Sequence, residues 1–299
     1  MSNQGIWAFL KPRILTGLNL SIVRKFLRFL KKIWILNFIR RVYSASGYFN
    51  KKYPEILKWG FNSREFTNFT YDLTDTNMEY LAHTISVVTG EGVEEILRYM
   101  HEARDNTLLK DTIIQAVKRM PEGRYADQTV RFGRRLGWYA FARILKPETI
   151  VETGVDKGLG SILLCSALMK NNEEGFPGKY YGTEINPEAG YLLTGPFAEF
   201  GKILYGDSIR SLSQFRDPIG LFVNDSDHSA DYEYREYLAI KHLITDKAII
   251  LGDNSHCTDK LALFSRETGR EFLYFREEPR DHWYPGAGLG ISFKRKSWS

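Results

Sequence analysis

Ile150-Val151-Glu152-Thr153-Gly154-Val155-Asp156-Lys157-Gly158-Leu159-Gly160-Ser161 is the stretch on which the fold of this 299-residue chain turns. β-Branched residues run up to an acid, a glycine-rich turn follows, and an apolar helical pattern begins near Ser161. Strand, glycine turn and helix in immediate succession open a βαβ unit. Glycines there let the backbone turn sharply and approach a ligand closely, so a Cβ at Gly158 is expected to intrude on the ligand side. The spacing is Gly-x-x-x-Gly-x-Gly. It differs from the dinucleotide fingerprint Gly-x-Gly-x-x-Gly, and it lacks the Gly-Lys-Ser/Thr of a phosphate-binding P-loop, because Lys157 precedes Gly158.

Outward from this turn, short β-rich runs cover 149–152, 180–185, 203–205, 221–223, 248–251, 272–275 and 290–293. Helical patterns separate the earlier runs, which predicts an open, doubly wound sheet of the Rossmann-like α/β class. Only a loop joins the last two runs, so they are expected to pair antiparallel. Upstream, helices are predicted over 76–89, 93–104 and 108–120, the last stopped by Pro121. A fourth helical stretch, 126–145, carries Arg131, Arg134 and Arg135. That cluster reads as a solvated helix face, with an anion-holding site as the alternative. Residues 43–61, broken by Gly47, Pro54 and Gly60, read as a linker. The division expected is a basic arm and linker over 1–60, a helical cap over 61–124 and the α/β domain over 125–299.

Two further acids stand at strand ends. Glu184 closes the second strand, where a carboxylate can accept from both hydroxyls of a ribose. Asp207 follows the third, where an adenine amino group could lie. An acid-glycine turn and two acids at the ends of successive strands point to a nucleoside-bearing cofactor.

Glu152, Gly154, Gly158, Gly160, Glu184 and Asp207 together resemble the cofactor motifs of class I S-adenosylmethionine-dependent methyltransferases. The segment Leu221-Phe222-Val223-Asn224-Asp225-Ser226-Asp227-His228-Ser229, with Tyr232 and Glu236, resembles the strand-four motif Ile-Asp-Gly-Asp-His-Ser-Tyr. That motif belongs to the O-methyltransferase branch related to macrocin and other sugar-modifying enzymes. Asn224 and Ser226 depart from it. The resemblance spans residues 131–296 and implies S-adenosylmethionine as cofactor and a hydroxyl of a glycan or glycoconjugate as acceptor.

Ligands of an open α/β sheet bind at the carboxyl ends of its parallel strands. Three loops leave such ends here, and three of the six histidines lie in them. Asp225, Asp253 and Asn254 offer only oxygen ligands, which suits a hard cation such as Mg²⁺. The Asp…Asp-Asn arrangement also resembles the metal site of catechol-type O-methyltransferases. A sugar hydroxyl is a weak nucleophile at neutral pH, so a cation to lower its pKa and an imidazole to take its proton are expected. His228 is the first candidate base and His256 the second, with Asp225 beside them. A structural alternative has Asp225 capping a helix and Asp253-Asn254 forming a turn. His282, Trp283 and Tyr284 lie in a Gly/Pro-rich loop expected to be exposed, and they are candidate acceptor contacts.

Composition narrows the classes. Apolar residues make up 43% and charged residues 26%, which is ordinary globular composition. Two distant cysteines, Cys165 and Cys257, exclude a disulfide scaffold and a cysteine-based zinc site, and they fit a reducing, cytoplasmic setting. No apolar run reaches the length of a membrane span.

The net charge of +5 is unevenly placed: residues 1–50 hold nine Lys and Arg and no Asp or Glu. The remainder is net acidic, which argues against a nucleic-acid protein with a basic surface. Over residues 21–34 the basic side chains fall on one helical face and Ile, Leu, Phe and Trp on the other. Such a helix, within 20–42, suits an anionic membrane surface at the inner face. It also suits packing on the catalytic body or on a second subunit of a homo-oligomer, and, less well, a cleaved presequence. The functions weighed against O-methylation are a nicotinamide-dependent oxidoreductase and a non-catalytic, membrane-associated cofactor-binding protein.

Overall fold

The computed structural model describes residues 25, 29, 34–50, 52–63, 71–121, 123, 127, 129–253 and 255–295. Seven strands form one sheet: β1 (Thr149–Thr153), β2 (Lys179–Glu184), β3 (Gly201–Tyr205), β4 (Ile219–Asn224), β5 (Ile244–Gly252), β6 (Glu271–Arg276) and β7 (Gly288–Phe293). Their order is β3-β2-β1-β4-β5-β7-β6. The first five are parallel, and β7 runs antiparallel between β5 and β6. The Rossmann-like sheet and its terminal antiparallel pair are thus as expected. Order reverses between β1 and its neighbours β2 and β4, which opens a crevice at their carboxyl ends.

Both faces of the central strands are covered, and the strand period of two sorts their residues. Ile150, Leu221, Val223, Ile249 and Leu251 join one core, and Val151, Phe222 and Ile250 join the other. The first core includes Leu81, Ile85, Ile96, Met100, Leu109 and Ile113, from α3 (Asp75–Thr89), α4 (Val93–Asp105) and α5 (Thr107–Arg119). α6 (Arg135–Leu145) and α7 (Leu159–Glu173) complete it with Trp138, Phe141, Leu163 and Leu164. α8 (Ser208–Gln214), α9 (Ala230–Ile240) and α10 (Lys260–Glu267) cover the other face.

The caps explain the helix limits. Thr74 Oγ1 accepts from Asn77 N at 3.3 Å and starts α3, while Gly90, left-handed at φ 75°, ends it. Asn106 ends α4 and starts α5, accepting from Leu109 N at 3.0 Å.

Two expectations are corrected. Residues 43–61 are not a linker: α1 (Trp34–Phe49) and α2 (Lys52–Asn62) occupy them. Gly47 and Gly60 sit inside these helices, and Pro54 falls in the first turn of α2, where its missing N–H is harmless. Among the described residues of 126–145 the helix begins at Arg135, because Gly133 takes a left-handed φ of 52° against Tyr71. The helix expected over 21–34 lies, apart from Lys25, Phe29 and Trp34, outside the described residues.

The chain divides into two units, Met1–Lys58 and Trp59–Ser299. In the first, α1 leaves Trp34, Ile35, Leu36, Phe38, Ile39, Val42, Tyr43 and Phe49 exposed. The second contains the whole sheet. Among the described residues no helix is long and apolar enough to cross a membrane.

Candidate functional site

The glycine turn leaves β1 at the crevice. Gly154 (φ 80°), Asp156 (φ 47°) and Gly158 (φ 97°) are all left-handed, a sharply folded path that two glycines make accessible. Each glycine has its own reason. A Cβ on Gly154 would come within 2.1 Å of the Asp225 carbonyl oxygen, and one on Gly160 within 2.3 Å of Glu152 Oε1. A Cβ on Gly158 would meet the Gly190 backbone at 3.3 Å. The expectation for Gly158 is therefore corrected: its Cβ side faces Gly190, and the close approach is between two protein segments.

Glu152 is not on the open side of the turn. It is 1% exposed, and its carboxylate accepts from Ser161 Oγ at 3.1 Å and from the Tyr180 hydroxyl. Burial pushes its pKa up to about 7. Glu152 thus supports the turn from beneath, and direct contact with a cofactor there would require the turn to open.

Glu184 reaches from β2 to the turn. Its Oε2 accepts from Val155 N at 3.1 Å and Asp156 N at 2.9 Å, and its Oε1 from Asn186 N at 2.9 Å. A carboxylate has about four lone-pair positions, so one ribose hydroxyl can be added as it stands, and a second needs release of a backbone N–H. Asp207 is exposed and caps α8, accepting from Arg210 N at 2.8 Å and the Tyr232 hydroxyl at 2.8 Å. These two bonds, the first above all, lower its pKa.

The strand-four motif is organised by Glu236, buried on α9. It accepts from Asn224 Nδ2 at 2.5 Å, Ser226 Oγ at 2.6 Å, Thr153 Oγ1 at 3.3 Å and Ser208 Oγ. These donors come from the ends of β1 and β4 and from the start of α8. The two departures from the sugar-enzyme motif, Asn224 and Ser226, are both among them. Burial raises the Glu236 pKa, and the four donors hold it down.

His228 and His256, from loops after β4 and β5, are brought together with ring centroids 6.4 Å apart. Both are exposed, and His256 Nδ1 lies 3.2 Å from the Asp253 carbonyl oxygen. Asp225 and Asp253 also meet, close enough for their carboxyl groups to act on one another. The pair is asymmetric. Burial, then the neighbouring Asp253 charge, raises Asp225 well above the carboxylate range. Against burial, the Arg134 guanidinium draws Asp253 down to about 2.

Arg134 grips both oxygens of Asp253, at 2.5 Å from Nε to Oδ1 and by Nη2 to Oδ2. Its Nη1 donates to Glu277 at 2.9 Å and to the Tyr71 hydroxyl at 2.8 Å, and that hydroxyl donates to Glu277 Oε2 at 2.8 Å. The reading of Arg134 as part of a solvated face is corrected: it is 8% exposed, because the break at Gly133 turns it inward.

The donor set does not fit a divalent cation in this arrangement. Both Asp253 oxygens hold a guanidinium, and burial and the neighbouring Asp253 charge hold Asp225 towards its neutral form. Asn254 lies outside the described residues. Among the described residues no group of three or more His, Cys, Asp and Glu is placed to hold a metal ion.

The loop between β6 and β7 is less exposed than expected. Thr74 N donates to Glu278 O at 3.0 Å, Arg280 N donates to Asp72 O at 2.7 Å, and Leu73 bridges Pro279. His282 is 3% exposed, ringed by Trp59 (5.8 Å), Tyr71 (5.2 Å) and Trp283 (5.6 Å). It is a core histidine, not an accessible acceptor contact. Trp283 keeps 36% exposure and Tyr284 is half-buried, so these two remain at the surface of the loop.

Residues 151–255 match a family described as "Methyltransferase domain". In structure the chain is similar to the S-adenosylhomocysteine-bound methyltransferase PaMTH1 of Podospora anserina, with 15% identity, a TM-score of 0.45, and 68% of this chain and 96% of that one covered. It is also similar to the O-methyltransferase TomG of Streptomyces achromogenes, in complex with S-adenosylmethionine (16%, TM-score 0.45, 62% and 90% covered). A third is an O-methyltransferase of Bacillus cereus in complex with S-adenosylhomocysteine (12%, TM-score 0.39, 74% and 92% covered). No curated protein sequence matches this one significantly.

Proposed function

We propose that this chain, whose residues 151–255 match a family described as "Methyltransferase domain", is a class I S-adenosylmethionine-dependent methyltransferase that O-methylates a hydroxyl of a glycan or glycoconjugate. One observation supports this above the others. The glycine turn, Glu184 and Asp207 follow one another along β1, β2 and β3, and the His228–His256 pair stands beyond β4 and β5 on the same edge. A nucleoside-bearing methyl donor and a proton acceptor thus have adjoining places.

When bound, the cofactor supplies an electrophilic methyl group on a sulfonium sulfur. Glu184 would accept from the ribose and Asp207 would hold the adenine amino group. Glu152 and Glu236 hold the turn and the strand ends from below. His228 or His256 would take the proton of the acceptor hydroxyl, which methylation of its oxygen requires. Trp283 and Tyr284 offer aromatic faces to a sugar ring. Arg134 supplies the positive charge beside Asp253 that a cation would otherwise bring.

The acid-free arm and the exposed apolar side chains of α1 extend this reading to an acceptor held at an anionic membrane on the cytoplasmic side.

Titration of the protein with S-adenosylhomocysteine, beside NAD, tests the cofactor. Binding of the first and not the second is expected. Preference for NAD would replace this reading with an oxidoreductase, and silence to both with a non-catalytic protein. Transfer of labelled methyl from S-adenosylmethionine to a glycolipid extract, and not to the same extract after its sugars are removed, tests the acceptor.

A further inference from the structure

Arg134 and Arg135 are adjacent in sequence and have opposite surroundings. Arg134 is enclosed and saturated by Asp253, Glu277 and Tyr71. Arg135 is 20% exposed in its side chain, and among the described residues its one ion pair is Nη2 to Asp225 Oδ2, at 3.3 Å. Its Nε is buried and has no hydrogen-bond partner. A buried N–H without an acceptor is costly, and the planar guanidinium fork matches a carboxylate in bidentate fashion.

Its place on the sheet edge indicates which carboxylate. With ribose at Glu184 on β2 and adenine towards Asp207 after β3, the rest of the cofactor extends the other way, over β1 towards β4. Arg135 stands there. Its guanidinium carbon lies 5.1 Å from the Trp138 ring, and Trp138 packs under Gly160 of the glycine turn. Its partner Asp225 is the residue whose carbonyl presses on Gly154.

We propose that Arg135 binds the α-carboxylate of the amino-acid tail of S-adenosylmethionine, between the glycine turn and the exit of β4. This rests on the cofactor reading above. It makes Arg135 the residue by which the site tells the complete cofactor from thio-nucleosides that lack the amino acid. The acceptor is then bound without it.

Calorimetric titration of the full chain with S-adenosylhomocysteine and with 5′-methylthioadenosine, which shares the nucleoside and sulfur and has no amino acid, separates the claims. Arg135→Met should weaken S-adenosylhomocysteine about ten- to a hundredfold, as for loss of charge-assisted hydrogen bonds. It should leave 5′-methylthioadenosine unchanged, and Arg135→Lys should recover part of the loss. Arg135→Gln carries the same comparison if the methionine variant does not fold. Undiminished S-adenosylhomocysteine affinity, or equal loss of both ligands, overturns the assignment. If the unaltered protein binds 5′-methylthioadenosine and S-adenosylhomocysteine equally well, the cofactor reading stands and the role of Arg135 falls. If it binds neither, both fall.

Discussion

Glu152 sits beneath the glycine turn with its carboxylate between Ser161 and Tyr180, and this has a pH consequence. Its pKa is pushed up to about 7 by burial, above the ordinary carboxylate value. A raised carboxylate contributes stability in full below its unfolded pKa and loses it as pH rises through the folded one. The window is therefore from about pH 4.5 to 7, and the total is about 3 kcal/mol. Glu152→Gln removes that titration, so the melting temperature of the unaltered protein should fall relative to the variant between pH 5 and 8. Parallel melting curves across that range would show that the carboxylate stays ionised. Asp253 has the opposite sign: its pKa is about 2, so its contribution is present at neutral pH and lost only in strong acid. Asp253→Asn leaves Arg134 buried with Glu277 as its remaining anion and should cost about 3–5 kcal/mol in urea unfolding. A loss under 1 kcal/mol would mean that solvent reaches the pair.

Two elements of the site are limited by the side chains packed against them. Adding one methyl at Gly160 drives it into Glu152 and Trp138. Gly160→Ala should destabilise by about 1–3 kcal/mol, the range for overpacking a tight core. A melting curve checks this, and an unchanged midpoint would mean that α7 shifts freely. The loops after β4 and β5 carry the second expectation. Because Arg134 already grips Asp253, excess chelator should leave methyl transfer within about twofold of its untreated rate, and isothermal titration with Mg²⁺ should show no heat. Loss of transfer with chelator and recovery with Mg²⁺ or Mn²⁺ would return Asp225, Asp253 and Asn254 to the role of ligands.

Over the whole molecule, every residue assigned here to cofactor or acceptor lies within Trp59–Ser299. Removing residues 1–58 should therefore leave S-adenosylhomocysteine affinity within about threefold. If the basic arm holds the protein on membranes, the same truncation should abolish co-sedimentation with anionic vesicles. High salt should weaken attachment of the intact chain, since the Debye length falls to about 3 Å at 1 M. A large drop in melting temperature on truncation, with no vesicle binding by the full chain, would assign the arm to protein contacts.

What the sequence determined by itself is local and periodic. The seven strands were legible because apolar residues alternate or cluster between turn signals, and the helices near 76–89, 93–104 and 108–120 because their pattern is helical, with Pro121 stopping the last. The acids at strand ends were legible because topology alone puts them on one edge. Composition misled at 43–61, where isolated glycines and a first-turn proline are compatible with helix. It also misled over the described residues 129–134, where a single left-handed glycine interrupts a pattern that periodicity would continue. Only the tertiary structure decided what each charge does. Arg134 and Arg135 are indistinguishable as letters, yet one closes a buried pair and the other keeps an unmet donor. The reason is that burial and pairing are set by residues 71, 225, 253 and 277, which the chain brings together across as many as 206 positions.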